Sequence, residues 1–295
     1  MDFPIALKNA RNVLCLDMER IFLRGVTNPS YDFLKNYFFS KDGTYSYRIQ
    51  NTAGPEFAQL QYGGNSANLL YGFSAQAFHS SDLIEALCQV AGEAGKFHLL
   101  ANVPGGTDQV AYLKSNGFRT YSVQSIWKVN HFPREKHSAV QWCFEKDEDR
   151  SAISSYYSRH FSPLEVSLQS WNFPDVFHLI LHDQSSRIRG ITRVRFFANR
   201  AVLLPMLDTD CEDPGQTISA LLHDCSRYFS IIFIRELANH PFSKESLGKD
   251  AEICLFENHS MARNLATLNP IKNFQPADFF DDKGIAKPST PFSRF

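Results

Sequence analysis

The sequence predicts an α/β protein of the α+β type, with two similar domains that each carry a mixed, mostly antiparallel, twisted sheet with helices on both faces. Three observations predict this class. Helix-like and strand-like hydrophobic patterns alternate along the chain. The order of these patterns in the first half returns in the second half. The length of 295 residues also suits two domains of about 150 residues each.

The first half carries its clearest patterns after residue 80. Asp82, followed three positions later by Glu85, is typical of a helix N-terminus, and glycines close the same segment. Asn116-Gly117 is a typical helix end, because glycine readily adopts the left-handed conformation. The patterns predict, in order, a helix, a buried strand, a second helix and a strand over residues 82–95, 97–103, 107–116 and 121–129.

The second half repeats this layout after a polar stretch that contains Pro133. Its patterns predict helices over residues 150–160 and 216–228 and strands over residues 176–182, 187–197, 201–207 and 231–237. We therefore predict four segments: an N-terminal domain over residues 1–132, a linker over 133–138, a C-terminal domain over 139–269 and an irregular, proline-rich tail over 270–295.

Charge and composition exclude several classes of protein. The formal net charge is -1, which argues against a generally basic surface, so no nucleic-acid partner is expected. The chain has no apolar run of about 18 residues and does not begin like a signal peptide, so we expect a cytoplasmic protein without a membrane partner. The six cysteines include no Cys-x-x-Cys pair, which predicts neither a metal site nor a disulfide framework.

A stretch of the first half carries a recognisable motif. The stretch begins at Leu99, inside the strand predicted over residues 97–103. The helical sequence Val110-Ala111-Tyr112-Leu113-Lys114 follows, and then Gly117-Phe118, which leads into the next strand. This stretch resembles the late motif of the GCN5-related N-acetyltransferase (GNAT) superfamily. Residues Ala201–Leu222 are similar to the strand, pyrophosphate loop and following helix of the same family. The chain is therefore identified as a degenerate tandem member with two GNAT-like domains.

The resemblance implies acetyl-coenzyme A or another acyl-coenzyme A as cofactor. In the family, backbone N–H groups of a glycine-rich loop at a helix N-terminus hold the pyrophosphate. In the first copy Asp82 and Ile84 stand where the glycines belong, and the carboxylate would repel the phosphates. The second copy is the better site, although acids crowd its approach at Asp208, Asp210, Glu212 and Asp213. The implied cofactor-binding residues are Leu207, Gly215, Gln216, Thr217 and Ser219.

Tyr112 is the candidate catalytic residue. The family's usual general acid, a tyrosine four residues before the glycine of Gly117-Phe118, aligns with Leu113. Tyr112 is the neighbour of that position and is turned by about 100° around the helix. A packed aromatic side chain is the alternative interpretation. For transfer, the resemblance implies direct attack by an amine on the thioester, without a covalent intermediate.

Arginines and histidines form two further patterns. One face of a predicted strand carries Arg187, Arg189, Arg193 and Arg195. Arg193 and Arg195 are candidate substrate-binding residues, because a guanidinium suits a carboxylate or phosphate. A solvated face paired with nearby acids is the alternative. His178 and His182 are spaced like a metal pair but lie in a strand without a helical glutamate, so we predict two solvent-facing histidines and no metal site.

The sequence leaves two classes of function open. The first is an N-acyltransferase that moves an acetyl or other acyl group from acyl-coenzyme A to an amine of a small molecule or peptide. The alternative, favoured by the lost glycines and by Leu113, is a catalytically inactive binding or scaffold protein. A peptidyl transferase that uses charged transfer RNA has less support, because the chain shows no strong basic surface.

Overall fold

A computed structural model of the chain describes residues 13–25, 29–38, 43–51, 54–74, 81–129, 131–133, 140–161, 163–168, 176–183, 187–237, 251–265 and 292–294. Contacts divide the chain into two compact units, each assembled from separate segments. Unit 1 consists of Met1–Ile21, Val26–Tyr121 and Ser260–Phe295. Unit 2 consists of Phe22–Gly25 and Ser122–His259.

Helices and strands alternate over most of the described chain. The first part contains β1 (Leu14–Cys15), α1 (Met18–Arg24), α2 (Pro29–Phe38), β2 (Thr44–Asn51), β3 (Gly54–Gly63), β4 (Ser66–Ser74), α3 (Ser81–Glu93), β5 (His98–Pro104), α4 (Asp108–Ser115) and β6 (Arg119–Val129). The second part contains β7 (Trp142–Phe144), α5 (Arg150–His160), α6 (Pro163–Leu168), β8 (Val176–His182), β9 (Ile188–Phe197), β10 (Arg200–Leu207), α7 (Pro214–Cys225), β11 (Ile231–Leu237), β12 (Ala251–Asn264) and β13 (Phe292–Arg294).

The sheet of unit 1 has the strand order β13-β2-β3-β4-β5-β12. Its strands pair antiparallel from β13 to β4, and β4 pairs parallel with β5. α3 packs on this sheet because Leu83, Leu87 and Ala91 recur every four residues and form one buried stripe. Leu113 of α4 joins the same core cluster. The predicted helix, strand and helix, which are observed as α3, β5 and α4, therefore share one apolar core.

The sheet of unit 2 has the strand order β6-β11-β10-β9-β8-β7. All of its pairs are antiparallel except β10 with β11, which are parallel. α7 packs on a core cluster that includes Leu203, whereas Tyr156 of α5 packs on a cluster that includes Leu204. Successive residues of a strand point to opposite faces, so helices cover both faces of this sheet.

The predicted class, α/β with a mostly antiparallel sheet, is confirmed by the observed elements and their pairing. The helix predicted over residues 150–160 begins and ends at the predicted residues. The sequence patterns did not predict β12, which joins the sheet of unit 1 beside β5. This addition makes unit 1 discontinuous, unlike the contiguous predicted ranges 1–132 and 139–269, which stay predictions.

The predicted linker and tail fall largely outside the described residues. Residues 134–138 of the linker and 270–291 of the tail are not among them. Near the end of the chain, Phe292–Arg294 form β13, which pairs antiparallel with Tyr47–Ile49 of β2. This part of the predicted irregular tail is therefore a strand.

Candidate functional site

The parallel strands β10 and β11 of unit 2 pair over only part of their length. Their register joins Arg200–Leu203 to Ile231–Ile234, although β10 continues to Leu207 and β11 continues to Leu237. The outer edges pair fully, since β9 accompanies β10 to Leu207 and β6 accompanies β11 to Leu237. Among the described residues, no strand pairs with the inner edges beyond Leu203 and Ile234, so their backbone groups can pair with an extended ligand, apart from Pro205, which has no N–H.

The corresponding strands of unit 1 have their gap filled by the chain itself. β4 and β5 pair parallel only over Ser66–Asn68 with His98–Leu100. Beyond that register, the backbone N–H of Leu16 donates to the carbonyl of Leu70 at 2.8 Å, and the N–H of Asn102 donates to the carbonyl of Leu16 at 2.7 Å. Leu16 is 1% exposed. The segment that contains β1 therefore occupies, in unit 1, the place that is open in unit 2.

The predicted cofactor-binding residues lie together in unit 2, at the end of β10 and in the first turns of α7. Thr217 is buried and Gln216 is exposed. The remaining three are half-buried: Leu207, Gly215 and Ser219. The structure thus places these five residues on consecutive elements that follow the open edge of β10.

Asp213 caps the N-terminus of α7. Its Oδ1 accepts the backbone N–H of Gln216 at 2.8 Å, and its carbonyl accepts the N–H of Thr217 at 3.1 Å. Pro214, the first residue of the helix, has no N–H, so Gly215 supplies the other N–H of this turn. A carboxylate therefore already lies at the positive end of the helix, where a pyrophosphate would have to compete with it.

The sequence interpretation treated Asp213 only as a charge that crowds the approach. An aspartate directly before a proline is, however, a typical start of a helix, because the carboxylate caps the first turn and the proline occupies a position that needs no N–H. In the first copy, Asp82 lies within the first turn of α3. Both of the predicted GNAT-like regions thus carry a carboxylate at the start of a helix.

A second polar cluster surrounds Asp208, the residue that follows β10. Asp208 is 6% exposed, and its Oδ1 lies 3.1 Å from Nε2 of His160, the last residue of α5. The His160 ring lies 4.3 Å from the ring of Tyr156, measured between centroids. The hydroxyl of Tyr156 donates to the carbonyl of Met206 at 3.2 Å. Burial, and then the charge of Asp208, raise the pKa of Tyr156, so this phenol is neutral at neutral pH.

Two arginines neutralise acids that follow β10: Arg187 lies just before β9, and Arg189 lies within it. Nη1 of Arg189 lies 3.0 Å from Oδ2 of Asp210 and 3.6 Å from Oδ2 of Asp208. Nη2 of Arg187 lies 3.7 Å from Oδ2 of Asp208. The hydrogen bond from Arg189 lowers the pKa of Asp210. Arg187 and Arg189 therefore neutralise part of the negative charge that crowds the predicted pyrophosphate loop, at Asp208 and Asp210.

The predicted substrate-binding residues Arg193 and Arg195 lie further along β9. Arg195 is only 6% exposed and pairs in register with Val176 of β8 and Val202 of β10. Arg193 is half-buried and pairs in register with His178. The solvated-face alternative is therefore wrong for Arg195, because this residue is buried. Substrate binding by both residues stays a prediction.

His178 does not face solvent as predicted, since it is only 4% exposed. Oε1 of Glu145 accepts its backbone N–H at 3.1 Å, and Oε2 of Glu145 lies 2.9 Å from its ring Nδ1. Burial lowers the pKa of His178 despite the favourable charge of Glu145, and the positive charge of Arg193 lowers it further. The His178 ring is covered by α5, since it lies 6.1 Å from the ring of Tyr157, measured between centroids. His178 and Glu145 also line a cavity of about 430 Å³.

Tyr112 lies on α4 in unit 1, away in the chain from the predicted cofactor residues of unit 2. Its ring is half-buried against the core cluster that contains Leu113. Burial, together with the charge of Glu56, raises the pKa of Tyr112, so its hydroxyl remains protonated at neutral pH. The half-buried ring agrees with the packed-aromatic alternative, and the protonated hydroxyl of Tyr112 can still donate a proton.

Two features are absent from the described residues. Within these ranges, no three His, Cys, Asp or Glu side chains are grouped to hold a metal ion. None of the helices in the same ranges is long and apolar enough to cross a membrane.

Comparison with known proteins gives the class of fold. No protein-family model and no curated protein matches the sequence. Among solved structures, the chain is similar to a GCN5-related N-acetyltransferase from Sphaerobacter thermophilus, with a TM-score of 0.50 and 11% identity over 81% of this chain and 86% of that chain. The chain therefore has the fold of the GCN5-related N-acetyltransferases.

Two further structures have lower scores. A GCN5-related N-acetyltransferase from Kribbella flavida has a TM-score of 0.48 and 10% identity, over 75% of this chain and 91% of that chain. A tandem GNAT protein from the clavulanic acid biosynthesis pathway has a TM-score of 0.41 and 12% identity, over 86% of this chain and 98% of that chain.

Proposed function

We propose that unit 2 binds an acyl-coenzyme A, with acetyl-coenzyme A as the first candidate, and transfers its acyl group to an amine of a small molecule or peptide. The observation that carries this proposal is the open inner edge of β10 and β11 beyond Leu203 and Ile234. The pantetheine arm of coenzyme A contains amide groups, and two diverging strands offer such a chain unpaired backbone donors and acceptors. The GNAT fold is consistent with this use of the gap.

The residues of unit 2 fit the arm of the cofactor better than its pyrophosphate. The backbone groups of Leu204–Leu207 would hold the arm, except for Pro205, which has no N–H, and the Met206 carbonyl, which accepts the Tyr156 hydroxyl; the N–H of Gly215 would contact a phosphate. The bound cofactor supplies a thioester, whose acyl carbon is open to attack by an amine. The chain supplies position: it holds the acceptor near this carbon and replaces water by fixed N–H donors.

A second candidate function rests on Asp213. Because its carboxylate already caps α7, the helix N-terminus that the family uses for the pyrophosphate is occupied by the chain itself. This arrangement favours a protein that keeps the fold as a binding or scaffold module without acyl transfer. The two candidates differ in whether acetyl-coenzyme A binds at all.

Calorimetric titration of the full chain with acetyl-coenzyme A decides between them. We expect binding, together with thermal stabilisation of the chain at millimolar ligand; a ligand at 100 times its Kd adds about 2.7 kcal/mol. Gly215→Asp places a second carboxylate at the helix start and should abolish binding. Asp82→Gly, in the corresponding turn of unit 1, is the matched control and should leave affinity unchanged. Absence of heat and of stabilisation would contradict the acyltransferase proposal.

A further inference from the structure

The pair formed by His160 and Asp208 lies at the end of β10, the strand to which the acyl-coenzyme A proposed for unit 2 would bind. Asp208 directly follows β10, whose last residues are not paired with β11. On the same stretch, Met206 accepts the Tyr156 hydroxyl, and Leu204 and Met206 share a core cluster with Tyr156. The C-terminal turn of α5 therefore covers the open end of β10.

The surroundings of this pair differ from those of an exposed ion pair. The side chain of Asp208 is 6% exposed and that of His160 is 13% exposed. The other charged or titratable groups near them are Tyr156, stacked beside His160, and Arg187 and Arg189, which face the other oxygen of Asp208. Arg187 and Arg189 lie beside the carboxylate, and the contact between Asp208 Oδ1 and Nε2 orients the imidazole of His160.

We infer that the His160–Asp208 pair is the proton acceptor for the amine in unit 2, an inference that rests on the proposed acyltransferase function. An amine acceptor is an ammonium ion at neutral pH and must lose a proton before it can attack. The pair takes this proton, and the nitrogen then forms a bond to the acyl carbon while the carbon–sulfur bond breaks. The second proton of the nitrogen passes to the leaving thiolate, and the imidazolium returns its proton to solvent.

The first test uses the free protein. Nuclear magnetic resonance titration of the His160 ring should show a midpoint that moves to lower pH in Asp208→Asn, because the amide no longer stabilises the imidazolium. His223→Gln, which changes a half-buried histidine of α7, is the control and should leave the His160 midpoint in place. An unchanged midpoint in Asp208→Asn would overturn the inference.

The second test measures release of coenzyme A from acetyl-coenzyme A with butylamine as the acceptor probe. His160→Gln should retain acetyl-coenzyme A binding but lose at least about 100-fold in kcat, and its rate should no longer fall at acidic pH. His223→Gln should keep the wild-type rate and pH profile. Wild-type turnover that persists in His160→Gln would overturn this inference alone, whereas a wild-type chain without binding or turnover would overturn the proposed function.

Discussion

Nε of Arg20 donates to Oδ2 of Asp32 at 3.0 Å in the interior of unit 1, where the two side chains are 3% and 5% exposed. The same carboxylate oxygen accepts the hydroxyl of Tyr71 at 2.6 Å. Asn36 completes the group by accepting from Nη2 of Arg20 at 3.0 Å. These buried charges are tolerated because Arg20 and Asp32 form an ion pair, while Tyr71 and Asn36 supply further hydrogen bonds to them.

Replacing Asp32 by alanine should therefore destabilise the chain strongly. The change leaves the Arg20 guanidinium buried without its counter-charge and removes the acceptor of Tyr71, which we expect to lower the free energy of unfolding by about 3–5 kcal/mol. Urea denaturation measures this loss. Lys146→Ala is the control, because the Lys146–Glu148 pair is exposed and should contribute little. Equal effects of the two variants would contradict the assignment.

One acetyl-coenzyme A should bind per chain, although the sequence predicts two GNAT-like domains. In unit 1, the hydrogen bonds of Leu16 to Leu70 and Asn102 use the backbone groups that a pantetheine arm would need. Calorimetry should thus give a stoichiometry near one, and Gly215→Asp should remove the whole signal. Two equivalents, or half of the signal remaining in the variant, would show that unit 1 also binds the cofactor.

Removing the charge of Asp213 should strengthen cofactor binding. Asp213→Asn keeps a capping oxygen for the N–H of Gln216 but no longer repels phosphate, so we expect acetyl-coenzyme A to bind about two- to fivefold more tightly. Asp213→Ala should instead lower the free energy of unfolding by about 1 kcal/mol, because the cap is lost. Calorimetry and urea denaturation measure the two effects.

Asp224→Asn removes a carboxylate near the opposite end of α7 and is the matched control. It should leave the affinity for acetyl-coenzyme A at the wild-type value. A similar gain in both variants would indicate a general effect of net charge on the chain and not competition at the helix N-terminus.

His178 should make the stability of the chain depend on pH. Its pKa is lowered in the folded state from the ordinary value of 6.5, chiefly by burial. Below about pH 6.5 the unfolded chain therefore binds more protons than the folded chain at this position, and stability falls as pH falls. Urea denaturation at pH 7.5 and 5.5 should show a smaller decline in His178→Asn than in wild type. Parallel declines would be inconsistent with this role, and His182→Asn should behave like wild type.

Local periodicity predicted much of the fold, but it did not predict the pairing between distant segments. α5 was predicted at its observed bounds, because Ile153, Tyr156 and Tyr157 recur on one helical face. β12 and the two-residue β1 were missed, since the partners that make them strands lie far away in the sequence. No local pattern shows that Leu16 inserts between Leu70 and Asn102.

For the candidate site too, the sequence predicted local features but not contacts between distant residues. The resemblance placed Gly215 and Gln216 at a helix start that the structure also has. Burial was the missing quantity for His178, because a histidine that alternates with apolar residues looks solvent-facing until Tyr157 and Glu145 are known to lie against its ring. The His160–Asp208 pair joins two elements 48 positions apart, so no motif spacing indicated it.

The late position of β12 in the sequence affects how the chain folds while it is being translated. The N–H of Leu265 donates to the carbonyl of Phe97 at 2.8 Å, and Ser260 donates to the side chain of Asn102 at 2.8 Å, so β5 meets this neighbour only after Leu265 has been translated. Domains usually fold in order as they emerge. The edge of β5 instead remains available for non-native strand pairing until the residues of unit 2 have been translated.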